Sequence, residues 1–192
     1  MDKAKKYIQE GITSRKSLDT VKLNKVANII IKAFRKGNKV LVFGNGGSAA
    51  DAHHIAAEFM GMQEIRRSPL PAISLTDNIS NMTSIPNDYS WESVFSRQIE
   101  GIGKNGDIAI AISTSGNSKN VLEATIKAKS MGIYVIGLAG NNGGLLAKIA
   151  NEAIIINSKR TPIIQETYMA AAHVICSIVE ETLFQTTKTG PK

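Results

Sequence analysis

The chain is predicted to be an α/β protein, a three-layer sandwich with a five-stranded parallel sheet and an N-terminal helical extension. Two observations predict this class. Five short apolar segments alternate with segments of helical periodicity, and two of them run directly into Gly- or Ser-rich loops that open a helix. Parallel strands joined by helices produce this alternation, because the helices cover both faces of the sheet.

The first 36 residues differ from the rest of the chain. Residues 2–36 carry helical periodicity and lack strand signals, and the Gly37-Asn38 pair ends this region. We therefore predict N-terminal helices over residues 1–36. An α/β core and a terminal helix follow over residues 37–186, and at 192 residues the chain is expected to form a single domain.

The later elements follow in order from the apolar runs and from the turn residues between them. Strands are predicted at residues 39–43, 72–75, 107–112, 134–138 and 153–156. Helices are predicted at residues 48–60, 118–131, 145–150 and 162–183. Thr161 and Pro162 suit the N-cap and first helical position of the last helix. In such sheets ligands bind beyond the carboxyl ends of the strands, so the loops after strands one and three matter most.

The net charge and the distribution of basic residues indicate which classes of partner the chain can bind. The net charge is +7, which attracts anionic substrates and also nucleic acids. The basic residues are scattered and are not interleaved with aromatic ones. A solvated basic surface is therefore favoured, and no nucleic-acid partner is expected.

The N-terminal sequence and the cysteine count indicate the compartment. The opening residues, MDKAKKYIQEG, have no apolar leader, and no stretch is expected to span a bilayer, so no membrane association is predicted. A single cysteine, Cys176, excludes an intramolecular disulfide and suits a cytoplasmic protein. Because it lies among apolar residues of a late helix, we expect a buried structural thiol.

The first loop of interest is GNGGS, directly after the first strand. Asn45, Gly46, Gly47 and Ser48 lie where the chain turns from strand into helix. Free backbone N–H groups at a helix N-terminus bind anions, so this turn predicts a site for a sugar phosphate.

The second loop, STSGNS, follows the third predicted strand. Ser113, Thr114, Ser115 and Ser118 offer four hydroxyl groups around one glycine just before a helix. Hydroxyls and backbone N–H groups together bind phosphate without requiring a lysine. A plain N-capped turn would need only one serine, so the paired loops favour a phosphate site.

Four ionisable or polar side chains on two helices complete the candidate site. His54 and Glu58 share one helix face, and Gln165 and His173 lie eight residues apart on the last helix. Alone, His54 would be read as a surface histidine and His173 as a packed core histidine. Together the four residues predict a divalent metal site.

The motifs STSGNS, GNGGSAADAHHIAAE and IQETYMAAAH resemble the sugar isomerase (SIS) domain family, and within it the phosphoheptose isomerases. The resemblance extends over nearly the whole chain. It implies the flavodoxin-like SIS fold and an aldose–ketose isomerase that acts on a phosphorylated heptose through an enediol. It also implies the first step of bacterial ADP-heptose biosynthesis, which serves lipopolysaccharide or capsule.

The resemblance also assigns roles to individual residues. It implies one Zn²⁺ per subunit and a homotetramer with shared active sites, and it makes Glu58 the base and His173 the acid. The implied substrate contacts are Asn45, Gly46, Gly47, Ser48, Glu58, Asn87, Asp88, Ser113, Thr114, Ser115, Ser118 and Gln165. The implied zinc ligands are His54, Glu58, Gln165 and His173.

Two departures from the family pattern leave alternatives open. Met62 and Gln63 stand where the family often has arginine and tyrosine, and Ile163 and Ile164 stand where it commonly has Ala-Arg or Asp-Arg. An isomerase of another sugar phosphate is therefore one alternative. The other is a non-catalytic SIS tetramer that binds the replication initiator DnaA, although relatives of that type lack the acidic residue and the late histidine.

Overall fold

A computed structural model describes residues 2–184 and contains one five-stranded sheet in the order β2-β1-β3-β4-β5, with every pair parallel. The strands are β1 Val40–Gly44, β2 Ala72–Ser74, β3 Ile108–Ser113, β4 Tyr134–Gly140 and β5 Glu152–Ile156. The predicted α/β class with a parallel sheet is confirmed, and each strand boundary lies within two residues of its predicted place. Residues 185 and 186 of the predicted core lie outside the described residues.

Eight helices occur in the described part of the chain. They are α1 Lys3–Lys16, α2 Thr20–Arg35, α3 Gly47–Met60, α4 Ile79–Asp88, α5 Val94–Ile102, α6 Lys119–Ser130, α7 Gly144–Ile149 and α8 Thr161–Phe184. The N-terminal region contains two helices because Asp19 starts a new one, its carboxylate accepting from the Lys22 N–H at 3.0 Å.

Helices α4 and α5 were not predicted. Helix α4 buries none of its residues, contains Pro86 and consists mostly of Ser, Thr, Asn, Asp and Pro, which are typical of loops. Helix α5 buries only Val94, Phe95 and Ile99 over nine residues, which is a short signal to separate from a loop.

The strands divide their side chains between two cores, as the period of two requires. Val40 and Val42 of β1 face the core that α2, α3 and α8 cover. Leu41 and Phe43 face the opposite core, which α5, α6 and α7 cover. The sheet is therefore covered on both faces, and the two loops predicted to bind phosphate emerge between these helical layers.

Helix α8 is the one helix of residues 2–184 that is long and apolar enough to cross a membrane. By length and composition it departs from the expectation that no stretch would qualify. More than half of its apolar window is buried, and it packs on α2, α3 and the sheet, as a core helix does. Cys176 lies in this core with 3% exposure, and burial raises the pKa of its thiol, as expected for a structural cysteine.

The two ends of the sheet have different chemistry. At the carboxyl end Gly44 pairs with Ile112, so the loops after β1 and β3 leave the sheet side by side. At the amino end the Asp107 carboxylate accepts from the Lys39 ammonium at 2.6 Å and from the backbone N–H groups of Lys39 and Lys104. The Asp107 side chain is only 2% exposed, so this ion pair stabilises the strand starts far from the loops.

Replacing Asp107 by Ala is expected to lower the free energy of unfolding by about 3–5 kcal/mol, because it leaves a partly buried ammonium and two N–H groups without their acceptor. The matched control is Glu100→Ala, which breaks the exposed Lys127–Glu100 pair and should cost less than about 1 kcal/mol. Urea denaturation of both variants measures the difference. Equal losses would contradict the assignment.

Candidate active site

Three predicted ligands converge between α3 and α8. His54 Nε2 lies 3.0 Å from Glu58 Oε1 and 3.3 Å from His173 Nε2, and His173 Nε2 lies 4.0 Å from the same carboxylate oxygen. The His54 and His173 side chains are 50% and 41% exposed, whereas Glu58 is 17% exposed. The cluster is therefore open to a ligand on its imidazole side.

The geometry of these atoms fits a divalent metal ion. Ligand atoms on a tetrahedral zinc ion, with bonds of about 2.0–2.2 Å, lie about 3.3–3.5 Å apart. The three separations of 3.0, 3.3 and 4.0 Å bracket that spacing. In addition, Glu58 Oε2 is buried without a hydrogen-bond partner in the structure, which leaves a carboxylate oxygen unsatisfied. Nitrogen and oxygen donors of this kind suit zinc.

The first loop turns as the sequence predicts. Gly46 has φ +56°, a left-handed conformation that glycine adopts without strain, and it directly precedes the first residue of α3. Gly46 and Gly47 are exposed, so their backbone N–H groups are accessible to an anion. Ser48 is 5% exposed and faces inward instead, where its hydroxyl lies 3.0 Å from the Tyr168 hydroxyl.

The second loop lies against the first. The side-chain amides of Asn45 and Asn120 exchange two hydrogen bonds, each 2.8 Å, between residues 75 apart in the chain. Ser115 is exposed and Ser118 is half-buried, but Ser113 is 2% exposed and its hydroxyl contacts those of both other serines. Ser115 and Ser118 are therefore accessible from solvent, with Ser113 beneath them.

Gln165 lies at the loop end of α8. A side chain built on Gly47 would place its Cβ 2.1 Å from the Gln165 amide nitrogen, so the absence of a side chain at Gly47 allows this contact. Thr114 is half-buried, and its carbonyl accepts from the Gly140 N–H at 3.1 Å. Loop one, loop two and the start of α8 thus meet at one end of the site.

Tyr168 and Asp51 were not identified from the sequence. The Tyr168 hydroxyl donates to the Asp51 carboxylate at 2.6 Å. Burial raises the pKa of Asp51, although the Tyr168 hydrogen bond opposes the shift, and burial together with Asp51 raises the pKa of Tyr168. Their positions in the sequence could have indicated both residues. Asp51 lies one helical turn before His54, and Tyr168 lies one turn after Gln165, so each shares a helix face with a predicted site residue.

Asn87 and Asp88 lie apart from this arrangement. They are exposed at the end of α4, where the Asn87 amide donates to the Asp88 carboxylate at 2.8 Å. Within residues 2–184, no hydrogen bond or ion pair joins either residue to His54, Glu58 or His173.

The loops and the cluster of His54, Glu58 and His173 lie at different levels of α3 and α8. His54 and Glu58 lie about 10 and 16 Å along α3 from Gly47, since each helical residue adds about 1.5 Å. Gln165 and His173 are separated by about 12 Å along α8 for the same reason. A ligand that contacts both the loops and the cluster would therefore have to extend along the two helices.

Comparisons with known proteins agree with this arrangement. The sequence profile of the SIS domain matches residues 5–140. A probable phosphoheptose isomerase of Thermoplasma acidophilum is 48% identical over 178 residues, covering 93% of this chain and 98% of that protein. A phosphoheptose isomerase of Synechocystis sp. is 50% identical and covers 87% of this chain and 86% of that protein. The structure of phosphoheptose isomerase GmhA from Neisseria gonorrhoeae has a TM-score of 0.87 at 34% identity, covering 93% and 97% of the two chains.

Removing one imidazole tests the cluster. His54→Ala is expected to weaken Zn²⁺ binding by more than about 100-fold, since even outer partners of metal ligands change affinity by 10–100-fold. The matched control is His53→Ala, because exposed His53 pairs with Asp77 and stands outside the cluster. Titration calorimetry with Zn²⁺ measures both. Equal affinities for the two variants would exclude His54 as a ligand.

Proposed function

The chain belongs to the SIS domain family, and on that basis we propose that it is a phosphoheptose isomerase, which converts sedoheptulose 7-phosphate into D-glycero-D-manno-heptose 7-phosphate. The observation that carries the proposal is the meeting of Glu58 and His173, whose side-chain atoms lie 4.0 Å apart. An acid and a base at this distance can serve adjacent carbons of one sugar.

The reaction requires a proton to leave C1 of the open-chain ketose and a proton to return at C2. Glu58 is the proposed base that removes the first proton. His173 is the proposed acid, which moves protons at the adjacent oxygens or opens the sugar ring. Positioned groups of this kind each contribute about 10²–10⁴ in rate.

We propose His54, Glu58 and His173 as metal ligands, with zinc as the ion, because these three form the cluster and their spacing fits zinc. Gln165 is proposed as the fourth ligand, and it would have to approach the ion from the loop end of α8, where it lies against Gly47. When bound there, a divalent ion would act as a Lewis acid toward the substrate oxygens. Glu58 would therefore both hold the ion and act as the proposed base.

The two loops would form the phosphate end of the proposed site. The phosphate would be held by the backbone N–H groups of Gly46 and Gly47 and by the hydroxyls of Thr114, Ser115 and Ser118, with Ser113 beneath them. Asn45 and Gln165 would complete this end, with the inward-facing Ser48 behind them. The rest of the sugar would then extend along α3 and α8 toward the cluster.

The alternative of a non-catalytic tetramer that binds DnaA is disfavoured by the same cluster. Such relatives lack the acidic residue and the late histidine, whereas here Glu58 and His173 are present and adjacent. An isomerase of another sugar phosphate would use the same cluster, so an assay with sedoheptulose 7-phosphate distinguishes the two.

We further propose a homotetramer whose chains share active sites. Two observations support it. Asn87 and Asp88 lie apart from the cluster of their own chain. Several large apolar side chains are exposed on a single chain, among them Val21 at 78% and Ile79 at 77%. The proposed enzyme would operate in the cytoplasm, at the first step of ADP-heptose synthesis for lipopolysaccharide or capsule.

Replacing Glu58 by Gln is expected to reduce kcat with sedoheptulose 7-phosphate by at least about 10²-fold, because the amide cannot accept the C1 proton. Product analysis, with and without a chelator, measures turnover and its metal requirement in one assay. Calorimetry with the phosphosugar should still detect binding, since the phosphate loops are intact. Turnover close to that of the unaltered protein would disprove the role of Glu58.

Mixing two inactive variants tests the shared site. Glu58→Gln and Asp88→Ala would each be inactive alone, but co-refolded mixtures should regain part of the activity, because some sites would receive both intact residues from different chains. Light scattering would verify a tetramer in each sample. Tetramers that regain no activity on mixing would argue against contributions from two chains.

A further inference from the structure

A buried ion pair lies at the end of α3, beyond the metal-type cluster of His54, Glu58 and His173. Arg67 Nε donates to Glu180 Oε1 at 2.8 Å, and both side chains are only 2% exposed. Glu180 follows His173 by seven residues on α8, so the two point to the same side of the helix. The pair thus lies two turns beyond one of the proposed ligands.

Glu180 binds the loop that follows α3. Its carboxylate accepts from the backbone N–H groups of Gln63, Glu64 and Ile65 at 3.1, 2.8 and 3.1 Å. Burial alone would raise the pKa of Glu180, but these N–H groups and Arg67 outweigh it and lower the pKa. The carboxylate is therefore charged at neutral pH and fixes three successive loop residues to α8.

Arg67 binds the end of α3 at the residue that carries the proposed base. Its guanidinium donates to the Glu58 carbonyl at 2.8 Å and to the Phe59 carbonyl at 2.9 Å. These carbonyls belong to the last turn of α3, which lacks intrahelical donors. The same loop also reaches α8 directly, because the Gln63 amide donates to the His173 carbonyl at 3.3 Å.

We propose that Arg67 and Glu180 are positioning residues, which hold the Glu58 backbone on α3 and the His173 backbone on α8 at the spacing that the metal-type cluster requires. The hydrogen bonds tie each backbone to the same loop, so the clamp of Arg67, Glu180 and Gln63 connects the two helices. A purely stabilising role is a poor explanation, because apolar residues of similar volume stabilise a core at least as well as a buried ion pair. For turnover, this inference rests on the proposed isomerase function.

Two conservative variants remove the clamp while keeping side-chain volume. Arg67→Lys keeps the charge but offers one nitrogen where the guanidinium donates to four acceptors. Glu180→Gln keeps one oxygen acceptor and is therefore expected to fold. If Arg67→Lys fails to fold, Glu180→Gln alone is compared with the control. The matched control is Lys39→Met, which breaks the other buried ion pair at the opposite end of the sheet.

The primary measurement uses Co²⁺ alone, with calorimetric affinity and the absorption bands of bound Co²⁺ as readouts. We expect Arg67→Lys and Glu180→Gln to weaken Co²⁺ binding about 10–100-fold and to shift the bands. Lys39→Met should lower Tm without changing either readout. Unchanged affinity and bands in the folded clamp variants, or an equal loss in Lys39→Met, would overturn the proposal.

Turnover of sedoheptulose 7-phosphate at saturating metal provides the second readout. The clamp variants should lower kcat with KM changed less than about twofold, because the phosphate loops lie at the other end of the site. A larger change in KM than in kcat would overturn the proposal. If the unaltered protein bound Co²⁺ but did not convert this sugar, the proposed function would fail while the metal comparison would still decide the role of the clamp.

Discussion

The packing of α8 alongside α3 is the constraint on which the site depends. The two helices approach each other at three levels: Gly47 against Gln165, Glu58 against His173, and the loop after α3 against Glu180. Each level has its own interaction, respectively a close approach that needs glycine, a cluster of imidazole and carboxylate groups, and a buried ion pair. In the proposed enzyme, the groups for binding, chemistry and alignment would therefore follow one another along α3 and α8.

The sheet determines where this groove begins. Because the strands are parallel and both faces are covered, the loops after β1 and β3 meet at one edge. The reciprocal amide bonds of Asn45 and Asn120 join these loops across 75 residues of sequence. The opposite edge is closed by Asp107 and Lys39, so stability at one end and anion binding at the other depend on different residues.

Sequence patterns predict those parts of the fold that depend on residues close together in the chain. Apolar strands, the turn at Gly46 and the four-residue spacing of His54 and Glu58 are local, and the structure contains each of them. Helix α4 was missed because most of its residues are Ser, Thr, Asn, Asp or Pro, which are typical of loops. The ion pair of Arg67 with Glu180 joins residues 113 apart, and no spacing rule connects residues at that separation. A glutamate within the apolar α8 was the one available signal, since such residues are rarely buried without a partner.

The register between β1 and β3 has a consequence for substrate selection. The pairing of Gly44 with Ile112 fixes the level at which α3 starts, and the helical rise then fixes the distance to the reacting groups. In the proposed enzyme, the number of helical turns in α3 and α8 would therefore set the distance between the phosphate loops and the reacting groups. Because each inserted residue turns the rest of a helix by about 100°, only the insertion or deletion of nearly whole turns would keep His54, Glu58 and His173 facing one another. Helix length would then limit which sugar phosphates reach the reacting groups, independently of the residues that perform the chemistry.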